Sequence, residues 1–311
     1  MKRSAKPNVF LIGAPKCGTT TVVRALETHS RIFLPYPKET GFWSHDLVSK
    51  SDVTNLTSID DYLALFAKAP NSKTHLLDGS VIHMFSEVAV AEILKFNPNA
   101  RFLVMLRNPV DQVQSLHQEQ RFAMNEDEPD FWTAWQLQDA RARGEHVPKQ
   151  CPDPVRLSYA RQDMLGDQLE RAMSQIPKDQ LWVGFVEDLQ RNTEAVYAEI
   201  LAFLGLEFEP LVDHGPSKSS RTHRFPGLAN FYQSPPAAFA PLVRPVKHLL
   251  RSGGATQKLV RRLLIKDMKR DVLSSERRAE LHALFDPQTA KIEMLTGRDL
   301  SSWKAAPTAE A

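Results

Sequence analysis

Along the chain, short continuous apolar runs alternate with stretches where apolar residues return every three or four positions. "NVFLIG", residues 8–13, is a run suited to a buried parallel strand, and "TTTVVRALETH" behind it suits a helix. "IDDYLALFAKA" has helical spacing, "HLLDGS" reads as a short strand, and "SEVAVAEILKFNP" predicts a helix with Ser86 as N-cap and Pro98 closing it. "ARFLVMLRNP" is a second strong strand, followed by the helix "VDQVQSLHQEQRFA". Further on come the helix "LGDQLERAMSQI", the strand "QLWVGFV" and the helix "TEAVYAEILAFLGL", ended by Gly205. Strands separated by helices predict an α/β fold: a central parallel sheet flanked by helices, with its ligand at the carboxyl ends of the strands.

Composition narrows the class. With 311 residues, 42% hydrophobic and 24% charged, the chain is expected to form one soluble domain, 1–311, with a helical C-terminal extension. No apolar run approaches the roughly 20 residues of a membrane span, and the apolar segment after the basic start is too short for a signal peptide, so a cytoplasmic location is expected. Cys17 and Cys151 form neither a disulfide framework nor a CxxC site, and no HExxH or clustered His/Asp pattern occurs, so no metal is expected. The net charge of +2 conceals a basic stretch: from Arg244 to Arg278 there are eleven basic residues against three acidic ones. Within it, "TQKLVRRLLIKDMKRDVL" predicts a helix with Leu259, Val260, Leu263, Leu264 and Met268 near one face and its basic residues mostly on the others. The basic residues are a candidate contact for an anionic glycan or, through 256–270, a peripheral membrane surface; nothing calls for a nucleic acid.

The strongest chemical signal is "FLIGAPKCGTTTVVRAL", residues 10–26. Against the phosphate-loop pattern G-x-x-x-x-G-K-[ST], Gly13, Gly18 and Thr20 fit, but Thr19 stands where the lysine belongs, and the nearest lysine is Lys16, inside the loop. A strand, a glycine-containing turn and a helix N-terminus still present backbone N–H groups to an anion. Cys17 sits where a thiolate would be favoured, or is simply a small side chain beside a phosphate.

"PKCGTT" resembles the P-K-[ST]-G-T-[ST] loop of sulfotransferases that use 3′-phosphoadenosine-5′-phosphosulfate (PAPS), which implies Pro15, Lys16, Cys17, Gly18, Thr19 and Thr20 at the donor's 5′-phosphosulfate. "LRNPVDQVQS" resembles the family's R-x-P-x-x-R-x-x-S element, implying Arg107 and Ser115 at the 3′-phosphate, with Gln112 in place of the middle arginine. The resemblance, to bacterial and Golgi enzymes of the heparan sulfate type, runs over about 8–304 and leaves 305–311 as an expected disordered tail. It implies a P-loop-like sheet, PAPS as donor, adenosine 3′,5′-bisphosphate as product and no metal. The basic loop "HGPSKSSRTHRFPGL" is similar to the family's late loop over the 3′-phosphate, which makes Lys218 and Arg221 candidate donor ligands.

For the acceptor side, "KETGFW" resembles the K-E-x-x-F-F segment of glycan sulfotransferases, implying Glu39 as the base, Lys38 near the sulfuryl group, and Phe42 and Trp43 toward the acceptor; His45, six residues beyond Glu39, is a further candidate there. "LLDGSVIHMF" matches the family's E-[KA]-S-P-x-Y only at Asp78 and Ser80. A bacterial enzyme acting on a hydroxyl or amine of a carbohydrate, glycolipid or small metabolite is expected. Three readings stand beside it. A phenol-type enzyme would use a histidine base, His45 or His83. A P-loop kinase would need a lysine after Gly18 and an Asp at another strand end, where Thr19 and Arg107 stand. A binding module would keep the donor pocket without a base.

Overall fold

The computed structural model describes residues 6–47, 56–211, 221–223, 265–267 and 272–304. They fall into two compact units, Met1–Val113 with Ser158–Ser217 and Leu273–Ala311, and Gln114–Leu157 with Lys218–Val272.

The first unit is built on a five-stranded parallel sheet. Its strands are β1 (Val9–Gly13), β2 (Ile32–Phe33), β3 (His75–Asp78), β4 (Arg101–Leu106) and β5 (Leu181–Phe185), in the order β2-β3-β1-β4-β5. Parallel strands covered on both faces read as unbroken apolar runs. β1 and Phe102–Leu106 of β4 are accordingly buried throughout. Phe10 stacks on Phe102 with ring centroids 5.8 Å apart, and burying each such ring contributes roughly 1.5–3 kcal/mol.

From β1 the chain runs through α1 (Thr19–Glu27) to β2, returns by α2 (Ile59–Phe66) to β3, and crosses by α3 (Ala89–Phe96) to β4 on the other side of β1. The order reverses between β1 and β4, which is where a sheet of this kind opens its ligand crevice. α4 (Pro109–Phe122) leaves β4 and continues into the second unit; α8 (Leu165–Gln175) precedes β5, and α9 (Val186–Arg191) and α10 (Thr193–Leu204) follow it. The C-terminal helices are α11 (Ser275–Thr296) and α12 (Ser301–Lys304).

Helix ends follow local chemistry. α2 begins with a capping box between Ser58 and Asp61, and α10 begins with Asn192 accepting from the Ala195 N–H and ends at left-handed Gly205. α3 starts later than its sequence predicts: Ser86 Oγ accepts from the Ala89 N–H at 3.0 Å, so Ser86 holds the first turn from three residues upstream.

The second unit contains the later part of α4, α5 (Phe131–Gln136) and α6 (Gln138–Ala142), where buried Arg141 pairs with buried Glu126 at 2.6 Å. β6 (Arg221–His223) pairs antiparallel with β7 (Ile265–Asp267). Ile265–Asp267 is thus strand where the sequence predicts helix, taking its backbone partners from β6. The rest of the predicted basic helix, 256–264 and 268–271, and the tail 305–311 lie outside the described residues. α7 (Tyr159–Gln162) returns the chain to the first unit.

Candidate functional site

Residues 14–18 join β1 to α1 at the carboxyl edge of the sheet. The Ala14 N–H donates to the Met105 carbonyl at 2.8 Å, which fastens the start of the loop to β4. Lys16 takes φ +65° and Gly18 φ +78°, so two left-handed residues turn the chain before the helix begins. Glycine is needed at 18 for space as well, because a Cβ there would lie 2.7 Å from Leu189 Cδ2. The first amides of α1 have no intrahelical acceptor, so the loop offers an anion the positive end of a helix. Thr19, in the Walker-lysine position, is buried, Thr20 is exposed, and Pro15 and Lys16 are half-buried.

Cys17 departs from the expectation that it faces a ligand. Its thiol is buried and donates to Gln112 Oε1 at 3.4 Å, and its N–H donates to the Ala14 carbonyl at 3.3 Å. Burial pushes the thiol well above its ordinary range, so the pull of the helix end toward thiolate does not prevail.

Arg107 follows β4 directly. Its Nη1 donates to the Lys16 carbonyl at 3.4 Å, and its Nη2 lies 3.8 Å from Asp111 Oδ2, one turn into α4. The structure therefore brings together the loop lysine and the arginine that sequence placed in separate motifs. Gln112 is fully buried with its Nε2 unpartnered. Ser115, further along α4, is buried and belongs to the second unit. So does Arg221, in β6; Lys218 lies outside the described residues.

Three groups around Arg107 carried no recognisable sequence pattern. Asp163 is fully buried; burial holds its carboxyl well above the usual range, against the pull of the Arg107 charge and of the Val113 N–H. Glu187, at the start of α9, accepts from Trp303 Nε1 at 3.0 Å, and burial raises its carboxyl as well. Arg278, from α11, donates to Asp111 Oδ1 at 3.4 Å.

The candidate acceptor side is a strap, residues 38–44, docked on the end of β3. The Gly79 N–H donates to the Lys38 carbonyl at 3.0 Å, while the Thr40 and Gly41 N–H groups donate to Ser80 Oγ at 2.8 and 3.1 Å. Ser80 is itself held by Asp78, which accepts from Ser80 Oγ, Thr40 Oγ1 and the Tyr62 hydroxyl at 2.5, 2.9 and 2.8 Å. Burial opposes charge on Asp78, yet nearby His83, and after it the bonds from Ser80 and Tyr62, keep its carboxyl below the usual range. Asp78 and Ser80 are thus anchors of the strap, a role no motif announced.

On this strap Lys38 Nζ lies 2.6 Å from Glu39 Oε1, and Glu39 is 46% exposed. β3 is the parallel neighbour of β1, so Glu39 and the loop lie at one edge of the sheet. His83 is fully buried, its Nδ1 2.5 Å from Ser44 Oγ, where no acceptor reaches it; His45 is exposed. Trp43 is buried against Tyr62 and Phe96, and Phe42 stacks on Tyr62 with centroids 4.7 Å apart, so Trp43 packs the strap to the core.

Among the described residues no group of three or more His, Cys, Asp or Glu side chains could hold a metal ion, and no helix is long and apolar enough to cross a membrane.

Residues 6–227 match the model of the sulfotransferase domain. The chain is 25% identical over 235 residues to the human bifunctional heparan sulfate N-deacetylase/N-sulfotransferase 2, covering 73% of this chain and 24% of that protein. The Bos taurus counterpart is 25% identical over 211 residues, 64% of this chain and 22% of its own. The chain thus spans about a quarter of the length of the curated relatives it matches. A crystal structure of a sulfotransferase from Alicyclobacillus acidocaldarius superposes with a TM-score of 0.69 over 96% of this chain and 99% of that one, at 23% identity.

Proposed function

The chain belongs to the sulfotransferase domain family, and from that premise we propose that it moves the sulfuryl group of PAPS onto a hydroxyl or amine of a carbohydrate, glycolipid or related acceptor. The observation that carries the donor assignment is the meeting, at the crevice between β1 and β4, of the left-handed loop, the positive end of α1 and the Arg107 guanidinium. In this reading Lys16 and the loop amides take the 5′-phosphosulfate, and Arg107 and Ser115 take the 3′-phosphate, with Lys218 and Arg221 as further ligands.

The acceptor attacks sulfur in line, the bond from sulfur to the 5′-phosphate oxygen breaks, and Glu39 takes the acceptor's proton. Charge grows on the leaving phosphate, where Lys16 and the loop amides stabilise it, so catalysis is mainly positioning and electrostatics. Lys38, paired with Glu39, adds positive charge beside the transferred group. The "KETGFW" resemblance and the heparan sulfate N-sulfotransferase activity named for the human relative support a sugar acceptor.

The test is a thermal-shift titration with adenosine 3′,5′-bisphosphate in the presence of a chelator, paired with labelled sulfate transfer from PAPS to de-N-sulfated heparin and a panel of glycolipids and phenols. The bisphosphate is expected to stabilise the protein, by about 2.7 kcal/mol at a hundred times its Kd. No shift at millimolar ligand, or a shift that needs metal, overturns the donor assignment; transfer to phenols alone overturns the sugar acceptor.

A further inference from the structure

Gln112 occupies the place where the resemblance expects a second arginine, and the structure buries it under the loop with its oxygen bonded to Cys17. A guanidinium nevertheless reaches this end of α4 from elsewhere in the chain. Arg278, on the first turn of α11, places Nη2 3.4 Å from Asp111 Oδ1, while Arg107 Nη2 lies 3.8 Å from the other oxygen, Oδ2. One carboxylate thus stands between two guanidinium groups. Asp111 is 33% exposed and Arg278 21%, so solvent reaches the pair, yet Arg278 Nε is buried without a partner.

Two guanidinium groups facing one carboxylate are arranged as they would be for a phosphate, whose oxygens are spaced much like a carboxylate's and which carries more charge. We propose that Arg278 is a binding residue for the donor's 3′-phosphate, supplying from α11 the second guanidinium that Gln112 does not. Asp111 holds the two arginines in place in the unliganded chain and yields to the phosphate when donor binds. Arg278 closes the basic stretch that begins at Arg244, so this gives one of those residues a defined anion. The inference rests on the donor reading above.

The experiment is calorimetric titration of the full chain, its Arg278→Gln variant and its Asp111→Asn variant, each with adenosine 3′,5′-bisphosphate and with adenosine 5′-monophosphate. Arg278→Gln is expected to weaken the bisphosphate about tenfold or more, the loss of a charge-assisted contact, and to leave the monophosphate unchanged. Asp111→Asn is expected to strengthen the bisphosphate several-fold, because the competing carboxylate is gone. An Arg278→Gln variant that weakens both nucleotides alike, or neither, overturns the assignment and leaves Arg278 a structural partner of Asp111. Should Arg278→Gln fail to fold, weaker or unchanged bisphosphate binding by Asp111→Asn overturns it independently. A parent chain that does not prefer bisphosphate to monophosphate overturns the donor reading itself, an outcome distinct from a parent that discriminates and an Arg278→Gln variant that still does.

Discussion

Gly18→Ala isolates what the loop demands of its backbone. At φ +78° an alanine adopts a left-handed conformation that costs roughly 1–2 kcal/mol. Its Cβ would also sit 2.7 Å from Leu189 Cδ2 and 3.3 Å from Val186 Cγ2. Leu189 is buried, so relief has to come from movement of the loop or of α9, and overpacking of this kind costs about 1–3 kcal/mol. The two effects together predict a loss of about 2–5 kcal/mol. Gly205→Ala is the internal standard: φ is +71°, but a Cβ meets nothing within 4 Å, so only the conformational cost applies. Urea unfolding of both variants, with m unchanged, gives the steric part by difference, about 1–3 kcal/mol. Titration with adenosine 3′,5′-bisphosphate should show affinity lost in Gly18→Ala and kept in Gly205→Ala. If the two variants are equally stable, or if Gly18→Ala binds normally, the tight approach of loop to α9 does not shape the donor site.

Glu39→Gln should retain bisphosphate binding and lower turnover by about two to four orders of magnitude, read from labelled sulfate transfer; near-normal turnover would move the base elsewhere, with exposed His45 next in line. Asp163→Asn should stabilise the chain at neutral pH. The folded carboxyl sits above its unfolded value, so the native state binds the extra proton and loses stability as pH rises from the ordinary carboxylate range up to the raised folded value. The variant's advantage should vanish on acidification below that range, and unfolding curves with the same pH trend in both proteins would refute it. Ser80→Ala leaves the Thr40 and Gly41 N–H groups without their acceptor and should cost about 1–3 kcal/mol. It should also lower kcat while leaving bisphosphate affinity intact; unchanged kcat would show that Glu39 does not depend on the strap's anchor.

Much of the fold is legible in sequence because the sheet is parallel and buried on both faces. β1 and β4 are unbroken apolar runs, and α1, α2, α4, α8 and α10 carry their spacing and, in several cases, their caps in the residues themselves. β2 is two residues long and has no periodicity to show. α11 contains Pro287 and buries Leu281, Phe285 and Ile292 on a surface interrupted by polar residues, so its pattern is weak. At the candidate site, Lys16, Gly18, Arg107 and Glu39 stand in short motifs from which their proposed roles are read. Asp163, Glu187 and Arg278 come from three distant segments, and what each does is decided by where tertiary packing sets it against Arg107 and Asp111. Asp78 lies between these cases: its segment matches the family loosely, and its place is fixed by bonds to Thr40, Tyr62 and Ser80.

Asp78 and Asp163 are both fully buried carboxyls, and the chain treats them in opposite ways. Asp78 has His83 beside it and gathers hydroxyl and N–H donors, so it remains charged in the core, and the energy of those bonds holds the strap in one geometry. A proton base has to be held close to its target, and the strap bearing Glu39 is fixed in this way. Around Asp163 the Arg107 charge and the Val113 N–H only partly offset burial, which favours its neutral form. On the proposed function, an ionised carboxylate at that place would draw on the guanidinium that takes the phosphate; a neutral one would leave Arg107's charge to an incoming anion. On the proposed function the difference has a cause: the acceptor side needs a fixed backbone, whereas the donor side needs positive charge left available, and the same residue type serves each through the number of donors around it.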